Sequence, residues 1–517
     1  MNFDHQSSAV VIGSGFGGLA AAIRLRGMGH PVTLLEARDQ PGGRAGVFKD
    51  DGFIFDAGPT VITAPYLIDE LFEAVGRSRS DYVDLLPVDP FYRIDFHDGS
   101  KFDYVGDEDR LMEGIRSFNP KDVDNYQRLV KEIRKIFDIG YLQLSDVPFD
   151  RLVDMLKVIP DLLRLGSYRS VYSFVARYIE DERLRQVLTF QPLLVGGNPF
   201  KVTSIYTLIH WLERTWGVHF ARGGTTALVQ ALVKVFQDAG GEVRYNAPVE
   251  NIEVENGEAK AVRLASGERI PCRFVVSNAD PSFVYTRLID PEHRRKHTDR
   301  AVGRRRQSMS LFVAYFGTDR TYEDLAHHTI VLGPRYESLL KDIFDRRVLA
   351  DDFSLYLHAP TRTDPSVAPG GCENFYVLSP VPNQKSGIDW SAEGPRYLER
   401  VFEELERRGV PGLREHLVTH RFVTPEYFET ELRSVDGAAF GLEPLLTQSA
   451  WFRYHNRSED VGGLYFVGAS THPGAGIPGV ISTAKVMEKL VPRPGPSSMM
   501  AVPGAVAPDA VKERAAG

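Results

Sequence analysis

The chain has 517 residues, 43% of them apolar and 25% charged, the balance of a soluble globular protein rather than a fibre, a disordered chain or a disulfide-stapled miniprotein. Its 61 basic and 69 acidic side chains leave a net charge of -8, so the basic excess of a sequence-independent nucleic-acid binder is missing. Cys272 and Cys372, the only two cysteines, make no CxxC pair, which argues against a zinc site and for a reducing compartment.

The N-terminus shows no signal-peptide pattern, and no apolar run is long enough for a spanning helix. The first 36 residues read as strand, glycine-rich turn, helix, strand: Ala9–Ile12, Gly13 to Gly18, a helix over 19–28 stopped by Gly29 and Pro31, then Val32–Leu35 ending in Glu36. Phe53–Asp56 alternates as a strand and runs into Gly58-Pro59. Residues 120–216 turn helical and apolar. A helix over 227–238 leads through Gly240-Gly241 into a strand at 242–245. A hairpin at 252–264 turns on Asn256-Gly257, and Phe274–Ser277 is a further strand. Residues 307–317 alternate in a different sheet, 462–467 form a late strand, and 478–490 a closing helix. Residues 493–517 read as a disordered tail.

Gly13, Gly15 and Gly18 match GxGxxG, with Gly17 beside them. The first glycine permits the tight turn, the second lets backbone approach a pyrophosphate, and the third lets helix meet strand. Glu36 can accept from ribose hydroxyls, and Ala37 and Arg38 follow it along the same edge. Gly42-Gly43-Arg44 adds close backbone approach and a cation for phosphate charge. A second glycine cluster runs from Gly468 and Ala469 to Gly476-Ile477-Pro478-Gly479-Val480, between a strand and a helix. Two such clusters favour a long dinucleotide, FAD, over NAD. Gly58, Pro59 and Thr60, at the end of the third strand, complete the candidate contacts. No metal ligand set is expected.

The unit from Gly13 to Arg44 resembles the two-dinucleotide-binding-domain flavoproteins, which include amine oxidases and carotenoid desaturases. Further segments narrow it: Arg169-Ser170-Val171-Tyr172-Ser173, Leu194-Val195-Gly196-Gly197-Asn198-Pro199-Phe200, Leu325-Ala326-His327-His328-Thr329, Phe353-Ser354-Leu355-Tyr356-Leu357-His358-Ala359-Pro360, Leu446-Thr447-Gln448-Ser449-Ala450-Trp451-Phe452 and the 468–480 cluster. Together they resemble the bacterial and fungal phytoene desaturases from about residue 9 to 490.

That resemblance implies an α/β fold: a discontinuous Rossmann-like FAD-binding domain over 1–75, 218–300 and 455–492, and a mixed or antiparallel-sheet substrate domain over 76–140 and 301–454. It also implies a helical, membrane-facing insertion over 141–217. The implied activity is FAD-dependent introduction of trans double bonds into phytoene, ending at lycopene, with electrons passed to oxygen or a quinone. The implied location is cytoplasmic, peripheral on the inner face of the cell membrane. Rival expectations on the same scaffold are a C30 or hydroxylated-carotene desaturase, a carotene cis–trans isomerase, a flavin-free prenyl-lipid chaperone and an amine oxidase. Trp451 and Phe452 do not establish the aromatic cage of an amine oxidase.

The resemblance also carries a backbone contact to Val249 and cofactor contacts to Arg222, Gly223 and Gly224, which otherwise read as a buried strand valine and a plain helix start. Apolar residues at helical spacing over 151–179, edged by Arg151, Lys157, Arg164 and Arg169, read on sequence alone rather as a core-facing helix, and the lipid-soluble substrate that the resemblance implies turns the expectation to a membrane interface. For a catalytic base, Asp154 interrupts that segment and Lys157 can hold it ionised; the alternative is a solvated i,i+3 ion pair. His472 is a second candidate beside the flavin ring, or a histidine bonded only to backbone.

Overall fold

The computed structural model describes residues 8–494, 500 and 502. The expected tail at 493–517 lies almost wholly outside them. The organising element is a five-stranded parallel sheet in the order Leu464–Phe466, Phe274–Ser277, Ala9–Ile12, Val32–Leu35, Glu242–Arg244. Its strands come from both ends of the chain and from the middle, and the first strand is central and fully buried.

Alternation along that strand builds three layers. Ala9 and Val11 face the helices Phe16–Gly27, Thr225–Asp238 and Ile477–Leu490, packed among Leu19, Ile23, Leu232 and Ile481. Val10 and Ile12 face the other way, against a three-stranded antiparallel sheet of Val249–Glu255, Glu258–Leu264 and Arg269–Pro271. Because both faces are covered, these strands read as continuous apolar runs.

A second, mixed sheet has seven strands in the order Leu417–Val423, Ser310–Thr318, Glu373–Val381, Leu355–His358, His328–Val331, Tyr92–Asp95, Lys101–Tyr104. Only the pairing of His328–Val331 with Tyr92–Asp95 is parallel. Phe312, Ala314 and Phe316 bury one face under the helix Trp390–Arg408. Leu311, Val313 and Tyr315 point to the opposite face, which looks toward the helical segments between residues 108 and 216.

The helix Leu152–Arg164 breaks the usual pattern. Met155 is its only buried residue, while Leu152, Val153, Leu156, Ile159 and Leu163 are exposed. Among the described residues no helix is long and apolar enough to cross a membrane. Both cysteines are free.

Candidate active site and cofactor cradle

A single cavity of ≈ 560 Å³ runs from the glycine turn at Gly13 to the inner face of the seven-stranded sheet. Its first end lies at the carboxyl ends of the parallel strands, where open α/β sheets bind ligands. Gly13 has φ 89, a left-handed conformation that favours glycine. A Cβ at Gly18 would stand 1.9 Å from the Gly13 carbonyl oxygen, so strand and helix meet there without room for a side chain. Gly17 and Gly18 support the turn from behind, while Gly13 and Gly15 reach the cavity wall.

Glu36 is 5% exposed and organises the turn. One of its oxygens accepts from the Ser14 amide at 2.9 Å and the Ser14 hydroxyl at 2.5 Å; the other accepts from the Arg38 amide at 3.0 Å. Two helix N-termini open on this end without a side-chain cap, Phe16–Gly27 behind Gly15 and Ile477–Leu490 behind Gly476. Uncapped amides and the positive end of the helix dipole form an anion site. Arg44 also lies on the wall: it donates to Ser434 Oγ at 2.6 Å, and its buried Nε has no partner.

A diphosphate-bridged dinucleotide fits these groups: two open helix ends and a cation for its phosphates, and a fixed carboxylate for its ribose. Ala37, Gly42, Gly43, Gly58, Pro59, Thr60, Val249, Gly468, Ala469, Ile477, Pro478, Gly479 and Val480 line the same cavity.

Other expected residues fall elsewhere. Arg222, Gly223 and Gly224 do not line the cavity. The Gly223 amide donates to Asp364 at 2.6 Å, and the Thr225 and Thr226 amides donate to the Asp56 carboxylate at 2.9 and 3.2 Å. A carboxylate of the chain itself thus holds the amides at the start of the helix Thr225–Asp238. Burial pushes Asp56 up to about 6, against the pull of those amides.

Asp154 and Lys157 are also outside the wall. Their N···O separation is 3.8 Å, and the lysine side chain is 71% exposed, so they form a solvated pair. Trp451 and Phe452 form no part of the wall either.

His472 does line the cavity. Its Nε2 donates to the Leu144 carbonyl at 2.8 Å, and burial, reinforced by Arg453, lowers its pKa to about 4, so the ring is neutral and backbone-anchored.

Three features escaped the sequence reading. Asn278 follows the strand Phe274–Ser277, and Cβ atoms at Gly15 and Gly17 would stand 2.7 and 2.5 Å from its side-chain amide. Its place at the end of a parallel strand was a usable signal. Arg453 is buried and donates to the carbonyls of Thr471 at 3.1 Å and Ala469 at 2.5 Å, bracing the second glycine loop; no motif marks it.

The third is a polar floor on the seven-stranded sheet. Thr60 Oγ1 lies 2.6 Å from Tyr376 Oη and 3.3 Å from Tyr356 Oη, and Tyr356 meets His328 Nδ1 at 2.7 Å. His327 and His358 touch through Nε2 atoms at 3.0 Å. Burial holds all three rings neutral. Nitrogens of these three histidines lie within 4.8 Å of one another; no metal set was expected there.

The flavin-containing amine oxidoreductase family model matches residues 16–486, and the chain belongs to that family. Within it, the chain is one of the phytoene desaturases. It is 53% identical to the lycopene-forming phytoene desaturase of Pantoea ananas, over 93% of this chain and 98% of that one. It is 44% identical to the neurosporene-forming phytoene desaturase of Rhodobacter capsulatus, over 95% of each. An oxidoreductase structure from Methanosarcina mazei shares the fold, with TM-score 0.65 and 18% identity over 93% of this chain and all of that one.

Proposed function

We propose that this protein is an FAD-dependent phytoene desaturase that introduces successive trans double bonds into phytoene and forms lycopene. The observation that carries the reading is one cavity that joins a dinucleotide cradle to an apolar wall of Leu311, Val313, Ile330 and Leu378, together with the high identity to a lycopene-forming relative. When bound, FAD supplies the two-electron oxidation of a CH2–CH2 unit. The cradle over 1–75, 218–300 and 455–492 orients it through Glu36, Arg44 and the two open helix ends. The sheet over 76–140 and 301–454 supplies Leu311, Val313, Ile330 and Leu378, an apolar stretch of wall suited to a hydrocarbon, beside the polar floor of Tyr356 and Tyr376.

The helix Leu152–Arg164 supports a membrane role for the 141–217 segment. Met155, Val158 and Leu162 on one side line the cavity, while Leu152, Leu156 and Leu163 on the other are at least half exposed, at 50, 54 and 61%. Exposed leucines edged by Arg151, Lys157 and Arg164 suit the interface of a bilayer with anionic headgroups. A lipid-dissolved substrate then crosses one helix to reach the flavin. In this reading the protein sits on the cytoplasmic face of the cell membrane, and oxygen or a quinone would be the acceptor for the electrons that bound FAD takes up.

The test is anaerobic incubation of the FAD-loaded protein with phytoene in liposomes, following flavin absorbance and extracted pigment. Bleaching with lengthening of the polyene is expected. Bound flavin that stays oxidised would redirect the reading to another carotene or to an isomerase.

A further inference from the structure

Phytoene desaturation releases a proton as well as a hydride, and Asp154 does not line the cavity. The helix Leu208–Trp216 places a different carboxyl on the wall, beside Leu208, Ile209 and Leu212. Glu213 is 1% exposed. Tyr92 donates to its Oε1 at 2.8 Å, and its Oε2 has no hydrogen-bond partner. A buried carboxyl oxygen left unpaired costs stability, and no arginine or lysine bonds to it. Arg214, the nearest cation in sequence, turns away to Glu108 and to the carbonyls of Val105 and Gly106.

We propose that Glu213 is the proton acceptor of the desaturation. This rests on the desaturase reading above. One carbon of the CH2–CH2 unit gives a hydrogen with its bonding pair to the oxidised flavin. The adjacent carbon gives a proton to the Glu213 carboxylate. The electron pair of that second C–H bond becomes the new double bond, so two hydrogens and two electrons leave the substrate, the flavin is reduced and Glu213 ends as the neutral acid. Tyr92 holds the carboxyl in place from the neighbouring strand and donates to it when it is charged.

The surroundings suit the task. Burial raises Glu213 from the usual carboxylate range to about 8, with the Tyr92 bond and the Gln191 side chain pulling the other way. The titratable groups beyond Tyr92 are Tyr104, whose hydroxyl lies 2.9 Å from His210 Nδ1; Tyr126, 2.8 Å from His210 Nε2; and, around Tyr92 itself, Tyr356 and His328, whose ring centre lies 5.7 Å from that of Tyr92. Burial holds both histidines neutral and both His210 partners protonated, so no neighbour competes for the proton at neutral pH. A base that titrates near the working pH is the effective kind.

The experiment compares the FAD-loaded parent with Glu213→Gln, which preserves shape and an acceptor for Tyr92 but cannot take the proton. Anaerobic flavin reduction by phytoene is expected to slow by about 100-fold or more, with flavin content and melting temperature retained. The parent rate should rise with pH as the carboxyl ionises and the variant's should be flat; Glu213→Asp should restore part of the rate. Independently of turnover, the parent's infrared spectrum should carry a protonated-carboxyl band that fades over the same pH range and is missing from Glu213→Gln. A Gln variant within about threefold of the parent, or one with an unchanged pH profile, overturns the assignment. A parent that does not reduce its flavin with phytoene overturns the desaturase reading instead.

Discussion

At Gly18 a single methyl group decides whether the cradle forms. Gly18→Ala sets a Cβ 1.9 Å from the Gly13 carbonyl oxygen, so strand and helix must separate. A loss of ~2–3 kcal/mol is expected, read as a lower melting temperature with reduced flavin content. Asp154→Asn should leave desaturation within about twofold, because that carboxylate lies off the cavity wall and its lysine partner, 3.8 Å away, is mostly in solvent. Glu213 also predicts a stability effect. Its folded-state pKa, about 8, lies above its ordinary 4.5, so the folded protein holds a proton that the unfolded chain has released. The stabilising contribution is whole below the ordinary value and is lost as pH rises through about 8. The melting temperature of the parent should therefore fall relative to Glu213→Gln across that range; parallel curves would contradict it. The sequence exposed Gly13, Glu36 and Arg44 because their chemistry depends on local spacing. It hid Glu213 because that carboxyl takes its meaning from Tyr92, more than a hundred residues away, and Arg453 because its partners are backbone carbonyls, which no residue type marks.

Helices show why residue type alone misleads. Three helices flank the parallel sheet, and all start at glycine. Two present open amides to the cavity, whereas at the third Asp56 accepts from Thr225 and Thr226 and Asp364 accepts from Gly223, so the residues 222–224 lie off the cavity wall. The parallel strands and the hairpin at Asn256-Gly257 were legible because their patterns are short-range. The strand Glu373–Val381 and the helix Trp390–Arg408 were not, since the first is buried nearly throughout and the second acquires its register only against that sheet. The helix Leu152–Arg164 was ambiguous in sequence between core and interface, and it buries only Met155 while its leucines at 152, 156 and 163 stay exposed. Replacing Leu152, Leu156 and Leu163 together by Gln should abolish co-flotation with anionic liposomes while leaving bound flavin unchanged. Retained flotation would count against the membrane role of this helix.

Over the whole molecule, the cavity is the joint between the two sheets: Gly13, Glu36 and Gly468 contribute one wall, Leu311, Tyr356 and Tyr376 the other. A cofactor bound there stabilises only the assembled state. Stripping FAD should therefore lower the melting temperature, and graded addition should restore it in proportion to the logarithm of free FAD. The charge distribution supports no rival use of this surface, since a net of -8 offers polyanions nothing general to hold.

The strand order also sets a timetable for synthesis. The edge strand Leu464–Phe466 and the helix Ile477–Leu490 leave the ribosome after the other elements described, yet that helix packs directly on the first one, Phe16–Gly27, and supplies half of the open amides. A nascent chain halted before residue 464 owns the glycine turn and Glu36 but not the opposite side of the cradle. The cradle is thus complete only once residues 464–490 have joined the sheet, and until then an incomplete sheet edge has to be shielded from its neighbours on the polysome.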